Sequence, residues 1–393
     1  MKKELLNTKN QEFINDNLNS NIASLLLKQT AKTLVDKKVL IEQIEAKKKC
    51  EKKLPTWFST KNIYYPNKLN IEQTSSEITA KYKSKIIEGN SIIDITGGFG
   101  VDCFYFSKQF KNVTHCEINE ELTSIVKHNY KQLGINNVEC ISGSGIKALV
   151  KLNRPFDCIY IDPSRRDDIK GKVFQLKDCL PNVPAFLDLF FKFSKTILIK
   201  TSPLLDFTIG ISELSHVKTI HSVALNNEVK ELLWLLERDY EGKIEIKTVN
   251  LQKENEQIFN FNLDEEHKTE APLSQPLTYL YEPNSAILKA GAFNVLAERF
   301  NVLKLHKHSH LYTSEKLIDF PGRTFKIEQV LPYNKKTFNK TKITKANVTT
   351  RNFPESVQSI RKKLKLKDGG NVYLFFTTSP NSEKQIIICS KTQ

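Results

Sequence analysis

Three short apolar blocks stand out in the middle of the chain: Ser91-Ile-Ile-Asp94, Asn112-Val-Thr-His-Cys-Glu117 and Phe156-Asp-Cys-Ile-Tyr-Ile-Asp162. Runs this short and this apolar predict buried strands, and each stops on a carboxylate. After the first, residues 101–110 change to an amphipathic, helical period. Strand and helix go on alternating, with a helix expected at about 180–193 and a strand at 196–200. Residues 218–225 and 229–236 flank Asn226-Asn227-Glu228, and asparagine tolerates the positive φ of a tight turn, so an antiparallel hairpin is expected there. Ahead of this region, residues 1–70 show helical patterning, and Ser76 or Thr74 is placed to cap a helix that runs through Ile87. Behind it, residues 250–270 read as a polar linker. Residues 361–367 read as a basic helix that enters an Asp368-Gly369-Gly370 turn before a strand at 371–378.

Alternating strands and helices imply an α/β protein built on a doubly wound, Rossmann-like sheet, which binds ligands beyond the carboxyl ends of its strands. The first such end carries Asp94 and then Thr96-Gly97-Gly98-Phe99-Gly100. Glycines there let the backbone turn sharply and keep side chains away from a ligand at the next helix N-terminus. Glu117, at the second strand end, is placed to accept both hydroxyls of a ribose. A dinucleotide fingerprint needs a third glycine three residues after Gly100, and Cys103 stands there. Asp162-Pro163-Ser164-Arg165-Arg166 forms a third polar loop at a strand end.

Asp94 with its glycine turn, then Glu117, then Asp162-Pro163, resembles in order and spacing the class I S-adenosylmethionine (AdoMet)-dependent methyltransferases, over residues 71–245. The resemblance implies that Asp94, Thr96, Gly97, Gly98 and Gly100 hold the methionine part of AdoMet and that Glu117 takes the ribose. It puts Ser142 and Gly143 beside the adenine, where the family usually has an acid, and Asp162 at the meeting point of cofactor and acceptor. The terminal hairpin also fits that family.

At 393 residues, 39% hydrophobic and 26% charged, the chain has room for two or three folding units. Its apolar stretches are short and broken by charge, so neither a membrane span nor a leader is expected, and the expected compartment is cytoplasmic. Seven cysteines form no C-x-x-C pair and read as reduced core residues. His306, His308 and His310 alternate and could share one face of a strand. With no Cys, Asp or Glu nearby, a solvated polar face is favoured and no metal is expected. The charge changes the picture more: the net is +15, and residues 321–393 hold fifteen Lys or Arg against four Asp or Glu, a net +11. Arg361, Lys362, Lys363 and Lys365 form its densest run, which calls for a polyanionic partner.

A narrower resemblance covers nearly the whole chain. Residues 69–80 and 94–102, Tyr160-Ile-Asp-Pro-Ser-Arg-Arg-Asp167, residues 199–206, Tyr281-Glu-Pro-Asn-Ser-Ala-Ile-Leu-Lys-Ala-Gly291 and Thr350-Arg-Asn-Phe-Pro354 resemble a family of bacterial methyltransferase-type proteins with a C-terminal THUMP-like domain. To the helical domain read from patterning (1–70) and the methyltransferase domain (71–248), this resemblance adds a ferredoxin-like piece (273–320) and the THUMP-like domain (321–393). THUMP domains accompany RNA-modifying enzymes, so RNA is the implied acceptor. No aromatic residue follows Asp162-Pro163 to stack a base, and Thr201-Ser202-Pro203 offers no cysteine nucleophile for pyrimidine C5 transfer. Methylation of a nitrogen or a ribose oxygen remains, with Asp162 accepting a hydrogen bond from the target and Lys200 stabilising a deprotonated form. Glu228 or Glu231 and one of Lys81, Lys83 and Lys85 are further candidates. Arg165 and Arg166 either bind phosphate or pair with Asp167 and Asp168. Two other functions compete: an RNA-binding protein that keeps the cofactor fold without turnover, and a methyltransferase for small molecules or proteins, which has no use for the basic tail.

Overall fold

The computed structural model describes residues 1–27, 35–165, 175–253 and 255–392. The chain divides into two compact units, one of residues 1–217 and 233–241, the other of residues 218–232 and 242–393.

The first unit opens with helices α1 (Thr8–Asp16), α2 (Ile22–Leu27), α3 (Lys37–Lys53), α4 (Pro55–Ser59) and α5 (Lys68–Gln73), followed by α6 (Glu77–Lys85). Ser76 caps α6 through the Thr79 amide at 3.2 Å, whereas Thr74 ends α5. These helices pack onto the domain that follows. Trp57 is fully buried, edge-on to Phe104 with ring centroids 4.8 Å apart. Tyr64 exchanges two 2.9 Å hydrogen bonds with Asn129. The buried Glu77 carboxylate accepts the Thr56 amide and hydroxyl and the Tyr105 hydroxyl, at 2.6–2.7 Å, so its charge is fully solvated by donors.

The sheet then builds through β1 (Ser91–Asp94), α7 (Val101–Phe106), β2 (Asn112–Glu117), α8 (Glu120–Gln132), β3 (Val138–Ser142), α9 (Gly145–Leu152) and β4 (Phe156–Ile161). It continues with the two-residue strands β5 (Ser164–Arg165) and β6 (Cys179–Leu180), α10 (Val183–Phe193), β7 (Ser194–Thr201) and α11 (Phe207–Glu213). The parallel order is β3-β2-β1-β4-β7, with Ile92 opposite both Val113 and Cys158. Ile92, Ile93, Cys158, Ile159, Ile161 and Ile197–Ile199 are all inaccessible, as strands covered on both faces must be. The helix expected from residue 180 begins instead at Val183, because Cys179 and Leu180 pair with Arg165 and Ser164. The hairpin β8 (Val217–Leu225) and β9 (Glu228–Glu237) turns through Asn226 and Asn227 at φ 51° and 64°. The second half of β9 edges the first unit beside β7.

The second unit corrects the linker reading. Residues 245–268 are β10 (Glu245–Leu251), β11 (Glu256–Asn262) and α12 (Leu263–Lys268), paired as a hairpin with Thr248 opposite Phe259. Phe259 and Phe261 alternate inward and supply the burial that the polar composition concealed. Then come β12 (Tyr279–Pro283), α13 (Ser285–Ala290), α14 (Asn294–Phe300), β13 (Leu303–Lys304), β14 (Tyr312–Ser314), β15 (Gly322–Pro332), α15 (Lys335–Asn339), β16 (Lys345–Thr350), α16 (Val357–Leu364), β17 (Lys367–Thr378) and β18 (Lys384–Lys391). Seven of these strands form one sheet in the order β13-β14-β12-β15-β18-β17-β16. Its period-2 alternation serves two cores: Leu374, Phe376, Ile386 and Ile388 pack with α16, while Phe375, Ile387 and Cys389 pack with Leu280, Leu305 and Leu311. Gly369 and Gly370, at φ 89° and 86°, make a kink inside β17, where the register with β16 slips, instead of a turn ahead of the strand. His306, His308 and His310 do not share a strand face. They sit in a turn closed by Leu305 N–H to Leu311 O at 3.0 Å.

Candidate functional site

Strand order reverses between β1 and β4, so the crevice at their carboxyl ends is where a doubly wound sheet leaves room for a ligand. Asp94 closes β1 and is only 2% exposed. Its Oδ1 accepts the Thr96 amide at 2.9 Å and the Thr96 hydroxyl at 3.1 Å, and its Oδ2 accepts the Cys103 thiol at 3.4 Å. Burial pushes this acid up to about 7, against the hydrogen bonds from Thr96 that favour the carboxylate. Thr96 Oγ1 also accepts the Asp162 amide at 2.7 Å, which ties the end of β4 to that of β1. Asp94 therefore acts from inside the loop, shaping it through Thr96.

The glycine turn is held from several sides. Gly97 N–H donates to Cys116 O at 2.7 Å and Gly98 N–H to Glu117 Oε2 at 2.9 Å, while Glu117 Oε1 accepts Asn119 N–H at 2.7 Å. Two backbone donors thus fix the carboxylate at the end of β2. His115 lies buried beneath the turn, so close to Gly97 that a Cβ there would collide with the imidazole. Its Nε2 is 3.2 Å from Gly98 O. Burial holds His115 below the usual histidine range, so the neutral ring donates to that carbonyl. Tyr130 donates to Gly100 O at 2.7 Å. Gly98 is different, because at φ 53° an added Cβ would have only Thr96 O, at 3.9 Å, within reach and would project into open space. Gly143 at φ 124° also faces open space, and its amide donates to Glu117 O at 2.8 Å. Gly98, Glu117, Ser142 and Gly143 therefore stand together at the carboxyl ends of β1, β2 and β3, with open space beside both glycines.

Asp162 and Lys200, at the ends of the adjacent strands β4 and β7, form an ion pair through Asp162 Oδ2. Lys83 is fully buried and committed elsewhere: it pairs with Asp102 at 3.2 Å and donates to Ser75 at 3.0 Å, while Tyr160 donates to the same carboxylate at 3.0 Å. Lys81 and Lys85 are exposed on α6. In the second unit, Glu231 is buried and Glu228 pairs with Lys230 at 2.7 Å. The Arg165 side chain and Arg166 lie outside the described residues. Near α16, Arg361 pairs with Asp368 at 2.5 Å and the exposed Lys363 with Glu355 at 3.1 Å, which leaves the exposed Lys362 and Lys365 without a carboxylate partner among the described residues.

Three contributors escaped the sequence reading. Ile118 is 78% exposed directly after Glu117 and offers an apolar face there. An apolar residue inside the polar turn Glu117-Ile118-Asn119 was the available signal. Gly145 starts α9 so close to Ile95 that a Cβ would strike its backbone. His115 gave no signal at all, since it reads as one more residue of a strand. All seven cysteines are free, six of them buried, and burial pushes Cys140, the half-buried one, up to about 11. Among the described residues, no group of three or more His, Cys, Asp or Glu is placed to hold a metal, and no helix is long and apolar enough to cross a membrane.

Comparison with known proteins adds three domain matches. Residues 66–180 match a family described as conserved hypothetical protein 95, residues 279–321 a ferredoxin-like domain and residues 322–391 a THUMP domain-like family. A methyltransferase-like protein from Porphyromonas gingivalis W83 aligns over 100% of this chain and 99% of its own, with a TM-score of 0.89 and 31% identity. A protein-L-isoaspartate O-methyltransferase from Methanococcus maripaludis is 34% identical over 94 residues, which are 23% of this chain and 44% of that protein. This chain thus spans less than half the length of that relative.

Proposed function

The chain belongs to the family of the Porphyromonas gingivalis W83 methyltransferase-like protein, and from that membership we propose that it methylates RNA, at a nitrogen or a ribose oxygen. It is an AdoMet-dependent methyltransferase in its fold and its domain match. When bound, AdoMet supplies a methyl group activated on a sulfonium. The protein supplies position and electrostatics. Glu117, held by two backbone amides, presents its carboxylate to the ribose, and the bare backbone at Gly98 and Gly143 leaves room for the nucleoside. Asp94 keeps that turn in shape through Thr96 and, once ionised, complements a cationic ligand.

Lys200 holds Oδ2 of Asp162, and Oδ1 is then available to accept the acceptor's N–H or O–H and aim its lone pair at the methyl group. Because Asp162 already balances the Lys200 charge, the pair suits orientation better than stabilisation of a free anion. A covalent cysteine route has no suitable thiol, since six of the seven cysteines are buried and burial raises Cys103, Cys116 and Cys140.

What carries the RNA reading is the net +11 of residues 321–393 coinciding with the THUMP domain-like match at 322–391. An enzyme for small metabolites would need no such surface. The test is to incubate the protein with methyl-labelled AdoMet and total RNA from a strain lacking it, then digest to nucleosides. Label in one modified nucleoside is the expected result; label confined to protein or small molecules would refute the reading.

A further inference from the structure

Two segments singled out in the sequence and not used by the methyltransferase site, residues 281–291 and 350–354, meet in the second unit. Glu282 of β12 is 3% exposed, and two guanidinium groups share it. Arg323 engages Oε2 through Nε at 2.7 Å and through Nη2, and Arg351 donates to Oε1 at 2.8 Å. Both arginines reach solvent, with side chains 41% and 36% exposed. Arg351 Nε is buried without a hydrogen-bond partner.

Nearby lie one buried lysine, which also feels the Glu266 carboxylate, and the imidazoles of the 306–310 turn. The Lys304 ammonium is held by two neutral oxygens, Asn294 Oδ1 and Lys307 O, each at 3.2 Å. His306 Nδ1 lies 2.9 Å from the Asn352 amide nitrogen and accepts the His308 amide at 3.1 Å, so its proton sits on Nε2. His310 stacks on Phe293 at 3.5 Å between centroids, and its Nδ1 is buried without a partner. Burial, then Lys304, His308 and Arg351, hold His310 down at about 4; burial and the neighbouring cations also hold His306 low. A staple between two segments would need one arginine, fully covered. Two solvent-reaching arginines fixed on one buried carboxylate, with neutral imidazoles beside them, amount to a preformed anion receptor.

We propose that Arg323 and Arg351, fixed by Glu282 and flanked by Lys304, His306 and His310, bind a phosphate group, and that in the working enzyme this group is a backbone phosphodiester of the RNA. The second clause rests on the RNA reading above. Each guanidinium keeps N–H donors outside its bond to Glu282, and a phosphate accepts two of them in parallel on two of its oxygens. Removing one arginine leaves Glu282 with the other, so single variants keep a partner for the buried carboxylate.

The test uses the full chain with Arg351→Gln and Arg323→Gln, each checked for an unchanged thermal melt with AdoMet. Transfer RNA binding is measured by fluorescence anisotropy across a salt series. In a second arm, inorganic phosphate is titrated against chloride at constant ionic strength while the imidazole NMR signals of His306 and His310 are followed. The expected result is about tenfold weaker RNA binding in either variant, a salt slope shallower by about one, and histidine signals that phosphate shifts in the wild type alone. If both folded variants bind RNA as the wild type does, while loss of Lys362 and Lys365 still weakens binding, the phosphodiester site is overturned and the RNA reading stands. If the wild type binds no RNA, that reading fails, and the phosphate arm then decides alone: shifted histidines support a free-phosphate site, and unmoved ones overturn the proposal.

Discussion

Gly98→Ala separates what the glycine turn does for folding from what it does for the cofactor. At φ 53° the residue sits in the left-handed region, where a side chain costs about 1–2 kcal/mol. The new Cβ would have no neighbour closer than Thr96 O at 3.9 Å, so no steric loss adds to that cost in the free protein. A drop of about 1–2 kcal/mol lowers the melting temperature of a domain this size by roughly 2–8 °C. The same methyl group would stand in the space assigned to AdoMet, where overpacking costs about 1–3 kcal/mol, or roughly five- to 150-fold in Kd. Gly97→Ala is the contrast: its Cβ would collide with the buried His115 ring, so its penalty falls on folding first. Calorimetric titration with AdoMet, beside thermal melts with and without the ligand, measures both quantities. If Gly98→Ala melts lower by the stated amount yet binds AdoMet as tightly as the wild type, the turn is not the cofactor cradle.

Asp162→Asn should lower turnover about a hundredfold or more while AdoMet affinity stays within a few-fold, and Lys200→Met should lower it less, because Asp162 keeps its Thr96 anchor; equal AdoMet affinity with equal turnover in both variants would move the site elsewhere. Asp94 has a folded-state pKa raised from the carboxylate range to about 7, so the native state binds the extra proton and stability falls as pH rises between about 4 and 7. A cationic ligand favours the ionised form, so AdoMet affinity should climb from about pH 6 to 8, and Asp94→Asn should flatten that part of the titration curve; an unchanged curve would refute the coupling. Replacing the exposed Lys362 and Lys365 should reduce the salt slope of RNA binding by about 1.5, and replacing Arg361 and Lys363, each already paired with a carboxylate, by less.

The sequence alone determined the strand ends. Buried parallel strands must be apolar throughout, so Asp94, Glu117 and Asp162 could stand out only where each strand leaves the core. It also determined the hairpin at Asn226-Asn227, because few residues accept positive φ twice in succession, and the seat of the positive charge, because charge is additive along a chain. Tertiary structure decided everything that depends on which residues face each other at long range. It turned the expected linker at 250–270 into part of a hairpin over residues 245–262 and a helix after it, because Phe259 and Phe261 found a core the local composition does not mention. It gave Asp94 to the loop's interior, tied Asp162 to Lys200, and buried Lys83 against Asp102. It neutralised half of the basic run on α16 while assembling a second cationic site from residues 282, 323 and 351, which the chain keeps dozens of positions apart. Local pattern fixes which residues leave the core; which partner each then meets depends on strand order and packing, and neither is written within any short window of sequence.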